Sequence, residues 1–309
     1  MVTDELPSER LMTRLPHHVT VYEVGPRDGL QNEATSVSVE AKVAFIDALA
    51  DAGLTWIEAA SFVNPRAVPQ MADATAVMQH VERRPGVRYV ALVPNERGME
   101  RALEAGVNAV ALFTAASEEF SQANVRASID ETFERFAPVA ALAASHGVWL
   151  RGYVSTAFHC PFSGPVAPER AVEVAERLLD LGCAEVVISD TIGRATPLDT
   201  DRLLQLAVRR LPMEAVAFHL HDTFDLALCN VMLALEAGVT IFDSSAGGLG
   251  GCPFAPGAPG NLATEKLVRL LDGMEIASGV DGAAVAAAGR AMRQVLHPEP
   301  SAPPGSNAA

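Results

Sequence analysis

Eight short runs rich in β-branched and apolar residues recur along the chain, and their spacing restricts the fold more than any other feature. They are VTVYEV (19–24), LTWIEAA (54–60), RYVALV (88–93), AVALF (109–113), VWLRGYV (148–154), EVVISD (185–190), AVAFHLH (215–221) and TIFDSS (240–245). Between them, apolar residues fall three and four apart, as in Val39-Val43-Ile46-Leu49, Leu178-Leu181 and Leu203-Leu206, which is the period of an amphipathic helix. Gly53, Gly106, Gly147, Gly182 and Gly238 close these segments where a helix C-cap would sit. An Ala-Gly pair followed by an apolar run returns as DAGLTWIE, EAGVNAVALF and EAGVTIFDSS, each read as a helix feeding a buried parallel strand. Eight such units in about 250 residues indicate an α/β fold of the (β/α)8 TIM-barrel type. An open doubly wound sheet is the competing arrangement, but the first run is followed by GPRDGLQNE and no G-x-G-x-x-G opens a helix.

The rest of the chain fits one barrel domain. Residues 278–296 (SGVDGAAVAAAGRAMRQVL) read as one additional C-terminal helix, and HPEPSAPPGSNAA is Pro/Ser/Gly-rich. The expected organisation is an N-terminal extension over 1–18, the barrel over 19–296 and a disordered tail over 297–309. Of the 309 residues, 49% are hydrophobic and 20% charged, which excludes a solvated coil. The net charge of −15 repels nucleic acid and anionic membrane surfaces. No stretch reaches the roughly 18 consecutive apolar residues of a membrane span. The first residues, MVTDELPSERLMTRLPHH, lack the composition of a signal or transit peptide. Four cysteines (Cys160, Cys183, Cys229, Cys252) without a CxxC pair fit free thiols in a reducing, cytoplasmic setting. Cys183 and Cys229 are read as small buried hydrophobes.

A TIM barrel carries its chemistry at the C-terminal ends of its strands. There the sequence places Arg27-Asp28 after the first run, Glu58 at the end of the second, His219 and His221 ending the seventh, and Asn261 in the Gly-rich loop after the eighth. His219 and His221 stand at i and i+2, so both imidazoles share one face of a strand. Taken alone, such a pair reads as readily as two core histidines bonded to carbonyls. Closing the barrel sets the eighth strand beside the first, so Asp28, His219, His221 and Asn261 come from three adjacent strands. Two nitrogens, a carboxylate and an amide oxygen suit Mg²⁺ or Mn²⁺ better than zinc. Arg27 either stabilises an anionic or enolate oxygen or forms a salt bridge to Glu58 or Glu23, and Glu58 is either a further carboxylate near the metal or the counter-ion of Arg27.

Cys252 lies in a 15-residue stretch, Ala246 to Gly260, with six glycines and three prolines. Such a segment reads as a lid carrying a thiol that acts as nucleophile or proton donor, or as a structural turn with an incidental cysteine. Asp190-Thr191 stands at the rim, either supporting the histidines by hydrogen bonds or capping the next helix. His159 is read as a solvated loop residue, and His17-His18 receive no role.

EVGPRDGLQNE (23–33), SFVNPRAVPQM (61–71), RGYVS (151–155), DTIG (190–193), HLHDTF (219–224) and GGLGGCPFAPGAPGNLATE (247–265) together resemble the 3-hydroxy-3-methylglutaryl-CoA lyase family, from about Val19 to Leu271. The GLGGCP loop is the most specific of these motifs. The resemblance implies that Asp28, His219, His221 and Asn261 bind a divalent cation, Mg²⁺ or Mn²⁺. It implies that Arg27 stabilises the thioester enolate, Glu58 supports the site and Cys252 is the lid thiol, plausible as donor of a proton to the released carbanion. The reaction implied is retro-Claisen cleavage to acetyl-CoA and acetoacetate, chemistry of the leucine-degradation type, with His219 favoured as base or a bound water in its place. Asp225, His159, Ser189 and Arg194-Ala195 depart from the family pattern near the substrate mouth. They leave a related 3-hydroxy-3-alkylglutaryl-CoA or citramalyl-CoA open as substrate.

Two rivals stand beside this reading. A Claisen-type synthase shares the Arg-Asp pair and the HxH, but usually carries a long C-terminal regulatory region. A catalytically silent acyl-CoA-binding barrel would keep the fold without turnover. The expected partners are an acyl-CoA substrate and a second copy in a homo-oligomer, a dimer, with no nucleic acid and no membrane.

Overall fold

In the computed structural model, which describes residues 15–31, 33–250 and 260–298, all eight apolar runs are strands of one closed parallel barrel. The barrel strands are β1 (Thr20–Glu23), β2 (Trp56–Ser61), β3 (Arg88–Leu92), β4 (Ala109–Ala115), β5 (Trp149–Ser155), β8 (Glu185–Asp190), β9 (Val216–Leu220) and β10 (Ile241–Ser244). The short strands β6 (His159–Cys160) and β7 (Gly164–Pro165) form an antiparallel hairpin outside it, an element the sequence reading did not contain. Closure occurs between β1 and β10, with Thr20 opposite Ile241 and Glu23 opposite Ser244.

Strand alternation divides the residues of the barrel wall. Tyr22, Val90, Ala111, Tyr153, Val187 and Ala217 form a buried cluster inside the barrel. Val21, Leu150, Val186, Ile188, Phe218 and Phe242, of opposite parity, join the larger core shared with the helices. Those helices are α1 (Val39–Asp51), α2 (Ala74–His80), α3 (Glu96–Glu104), α4 (Glu118–Val125), α5 (Ile129–His146), α6 (Pro168–Asp180), α7 (Pro197–Arg210), α8 (Ala227–Glu236), α9 (Thr264–Gly273) and α10 (Gly282–Leu296). Capping boxes start α5 (Ser128 with Glu131) and α7 (Thr196 with Asp199). The five glycines expected to close helices all have left-handed φ, and at Gly53 a Cβ would also collide with the carbonyl oxygen of Gly279. Both α4 and the β6–β7 hairpin are inserted between a barrel strand and its helix, on the face where the strands end.

The additional helix begins at Gly282 rather than residue 278, because the Asp281 side chain accepts from the amides of Ala283 and Ala284 and caps it there. It packs on α1 and on the turn Ala246–Gly248 that follows β10. Gly289 is so close to that turn that a Cβ would lie 2.7 Å from the Gly247 nitrogen, and Arg293 donates to the Gly247 carbonyl.

Cys183 is buried, and burial pushes its thiol up to about 12. Cys229 is not the buried hydrophobe expected. On α8 the inward stripe runs through Ala227, Asn230, Val231, Ala234 and Leu235, and the helical period turns residue 229 to solvent. Among the described residues no helix is long and apolar enough to cross a membrane. Cys252 and its neighbours 251–259, most of the 1–18 extension (1–14) and the tail from residue 299 lie outside the described residues.

Candidate metal centre at the barrel mouth

The chain leaves β1 through a single π-helical turn, Gly25–Gly29, in which the Gly29 amide reaches back five residues to the Val24 carbonyl. A Cβ on Gly29 would lie 3.0 Å from that of Leu249, so only glycine allows this turn to nest against the segment after β10. The turn sends Arg27 inward, where it is 5% exposed, and holds Asp28 at the mouth. Arg27 Nε donates to Glu58 Oε1 at 2.6 Å and Nη1 to Asp28 Oδ1 at 2.7 Å. Burial works against the guanidinium charge, but Glu58 and Asp28 more than compensate and raise its pKa further. For Asp28 burial works upward, yet Arg27, His219, His221 and the Asn261 amide hold its carboxyl at about 2.

His219 and His221 both point inward from the end of β9, with ring centroids 5.3 Å apart. Residues 260–263 lie along the tips of β9 and β10, with the Leu262 amide donating to the Leu220 carbonyl at 3.0 Å and the Ser245 amide to the Leu262 carbonyl at 2.9 Å. This pairing brings Asn261 opposite His221. The Asn261 amide nitrogen donates to Asp28 Oδ2 at 2.9 Å. Side-chain atoms of Asp28, His219 and His221 that could ligate a metal all lie within 4.8 Å of one another. Asp28, His219, His221 and Asn261, expected from the sequence to share a site, are thus brought together.

Two buried atoms in this group have no hydrogen-bond partner among the described residues, His221 Nδ1 and Asn261 Oδ1. Buried polar atoms are nearly always hydrogen-bonded, so two orphaned lone-pair donors beside a carboxylate suit a hard dication. Burial and the neighbouring His219 drive the His221 pKa down to about 3, which keeps its lone pair free of a proton. In His219 burial also opposes charge, but the hydrogen bond and negative charge of Asp243, helped by Asp28, carry the pKa upward. With Nδ1 committed to Asp243 Oδ2 at 3.2 Å, the other ring nitrogen of His219 is the one left for a cation.

The sequence reading missed what holds these groups in place. Arg151, fully buried inside the barrel, donates to Glu185 Oε1 at 2.5 Å, to Asp243 Oδ1 at 2.6 Å and to the Tyr153 hydroxyl at 2.8 Å, with its Cζ 3.7 Å from the centre of the Tyr22 ring. The Tyr153 hydroxyl donates to Glu58 Oε2 at 2.6 Å, so a chain of charged hydrogen bonds runs from Glu185 to Asp28. Arg151 and Asp243 could have been found as charges at inward positions of otherwise apolar strands, where an unpaired charge would be prohibitive.

Glu58 sits mid-strand, fully buried, as the counter-ion of Arg27, outside the cluster of Asp28, His219 and His221. Asp190 does not support the histidines; its carboxylate accepts from the amides of Arg194 and Ala195, and burial raises it to about 6. Asp243 takes that supporting position because the strand next to β9, not the loop after β8, faces His219 Nδ1. His159 lies apart from the cluster, 3.5 Å from Asp199.

Residues 18–292 match the HMGL-like family. The chain is 53% identical to a hydroxymethylglutaryl-CoA lyase of Pseudomonas mevalonii over 271 residues, 88% of this chain and 90% of that one. It is 48% identical to a 3-hydroxy-3-isohexenylglutaryl-CoA/hydroxy-methylglutaryl-CoA lyase of Pseudomonas aeruginosa, covering 91% and 94% of the two chains. Among solved structures it is similar to an HMG-CoA lyase of Acinetobacter baumannii in complex with coenzyme A and 3-methylmalate, with a TM-score of 0.86, 36% identity and coverage of 91% and 92%. A closed eight-stranded barrel, an Arg-Asp turn after its first strand and a match over nearly its whole length place one conclusion beyond the geometry alone: this chain belongs to the HMGL-like family.

Proposed function

We propose that the protein is a divalent-metal-dependent carbon–carbon lyase that cleaves 3-hydroxy-3-methylglutaryl-CoA into acetyl-CoA and acetoacetate. The observation that carries this reading is the convergence of Asp28, His219 and His221 with the Asn261 oxygen, which has no partner among the described residues, in a chain of the HMGL-like family. These four residues would hold Mg²⁺ or Mn²⁺, which supplies Lewis acidity to the substrate's tertiary hydroxyl and carboxylate. Arg27, fixed by Glu58 and Asp28, presents a permanent cation to the enolate oxygen of the departing thioester. Glu58 keeps the guanidinium in place. The hydroxyl proton passes to His219 or to a bound water in its place; with Nδ1 held by Asp243, only the other ring nitrogen of His219 is open to that proton, and only while it is not a ligand. Cys252 is assigned the return of a proton to the acetyl-CoA carbanion. The same reading takes a dimer as the assembly and the cytoplasm as the place of action.

Purified protein incubated with 3-hydroxy-3-methylglutaryl-CoA is expected to release acetoacetate with Mg²⁺ or Mn²⁺ and none after chelation. Cys252→Ala is expected to be slower by about 10²-fold or more. Turnover that survives complete metal removal, or a parent inert with either metal, refutes the proposal. The name of the P. aeruginosa relative favours one second reading, acceptance of a longer 3-alkyl group. A higher kcat/KM for the isohexenyl than for the methyl substrate would establish it.

A further inference from the structure

Alternation along β1 turns Tyr22 into the barrel and Glu23 out of it, toward a face that otherwise packs against helices. Glu23 is nevertheless completely buried. Its Oε1 accepts from the Gly25 amide at 2.8 Å and from the Ala246 amide at 2.9 Å, and its Oε2 from the Thr264 hydroxyl at 2.7 Å. Thr264 Oγ1 lies in turn 2.9 Å from Ser244 Oγ. A buried carboxyl with no cation bonded to it among the described residues is costly, and three converging donors offset much of that cost.

The donors belong to three different segments. Gly25 opens the π-turn that carries Arg27 and Asp28, Ala246 begins the turn after β10, and Thr264 starts α9 three residues beyond Asn261. Asp28 and Asn261 are 233 residues apart in sequence, so local structure says nothing about their separation. The packing leaves Glu23 no slack, since a Cβ on Gly25 would lie 2.6 Å from Oε1.

We infer that Glu23 is a positioning residue, a hydrogen-bonded pin that sets the distance between Asp28 and Asn261 and so the affinity of the site for its cation. The inference rests on the ligand set proposed above. A ligand set displaced by more than about 0.5 Å loses its fit to an octahedral ion, and Glu23 acts on both sides of that set without touching an ion. What matters is its two acceptor positions, not its charge. In Glu23→Gln the amide oxygen keeps the two backbone donors, while the amide nitrogen donates to Thr264, whose hydroxyl hydrogen then turns to Ser244.

The test uses metal-stripped, full-length protein and Mn²⁺ alone, with free Mn²⁺ read by electron paramagnetic resonance and folding followed by urea denaturation. Glu23→Gln is expected to bind Mn²⁺ within threefold of the parent, and Glu23→Met at least tenfold more weakly. Thr264→Val, which removes the bond to Glu23 and the contact with Ser244 but leaves both backbone donors on Glu23, is expected to weaken binding at least threefold and decides the matter if Glu23→Met does not fold. Asn261→Ala should cost less affinity in the Thr264→Val background than in the parent, a coupling that general destabilisation would not produce. Parent-like binding by Thr264→Val overturns the inference, as does a Glu23→Gln loss equal to that of Glu23→Met. Undiminished binding by an Asp28→Asn control overturns the ligand set itself, and the inference with it, whereas loss only in that control overturns the pin alone.

Discussion

Replacing Asp243 by Asn changes almost no volume, so the consequences are those of charge and hydrogen-bond direction. The native carboxylate accepts from two donors at once, Arg151 Nη2 at 2.6 Å and His219 Nδ1 at 3.2 Å, and is completely buried. An amide has one oxygen to offer. If it stays on Arg151, the NH2 group faces His219 Nδ1, which must become the acceptor, and the ring hydrogen moves to the nitrogen left for the cation. Loss of such a supporting partner typically costs 10–100-fold in metal affinity, or roughly 1.4–2.7 kcal/mol. Folding should suffer separately. Breaking a buried ion pair from one side costs about 3–5 kcal/mol, and because Glu185 still pairs with Arg151 we expect the lower end, about 3 kcal/mol. Mn²⁺ titration of the metal-stripped variant and its urea unfolding curve measure the two effects. A folded Asp243→Asn protein binding Mn²⁺ within twofold of the parent would refute the assignment of His219 orientation to Asp243.

Gly289→Ala offers a test in which propensity and packing disagree in sign. Inside a helix the change should stabilise by up to about 1 kcal/mol; here the new Cβ meets the backbone of Ala246 and Gly247 within 3.0 Å, and we expect a loss of about 1–3 kcal/mol in urea denaturation. A gain would show that α10 moves freely relative to that turn. For pH, burial raises Glu23 from 4.5 to about 7 in the folded protein. The folded state therefore holds that proton more tightly than the unfolded chain. The associated stability is fully present below pH 4.5 and is lost as pH rises through 7, an effect of order 3 kcal/mol. Glu23→Gln should flatten the stability profile between those values, and an unchanged slope would count against it.

The fold was legible because its signals are local. Eight apolar runs and glycines such as Gly147 and Gly182 marked strands and helix ends within a few residues of where they lie. The parity of His219 and His221 was enough to put them on one face, and barrel closure then brought Asp28 and Asn261 beside them. The environment of Glu58 was half legible: its pairing with Arg27 was among the alternatives, but its Tyr153 partner was not. Asp190 stayed open between the histidines and a helix cap because an acidic residue ending a strand next to a histidine strand has the same local pattern whether it turns to the ring or to the amides of the following loop, as it does here. The β6–β7 hairpin has only two residues per strand, too few to show a period.

What the amino-acid order alone determined is the alternation of strand and helix, set by periods of two and 3.6 residues, the closing glycines and, through strand-end placement and the family's motifs, the identity of the four clustered polar groups. Only the tertiary structure decided the π-turn that aims Arg27, the Arg151–Asp243 contact across 92 residues and the Glu23–Thr264 contact across 241. Hydrogen bonds between residues so far apart depend on how the barrel closes, and no local pattern encodes a distance that closure creates.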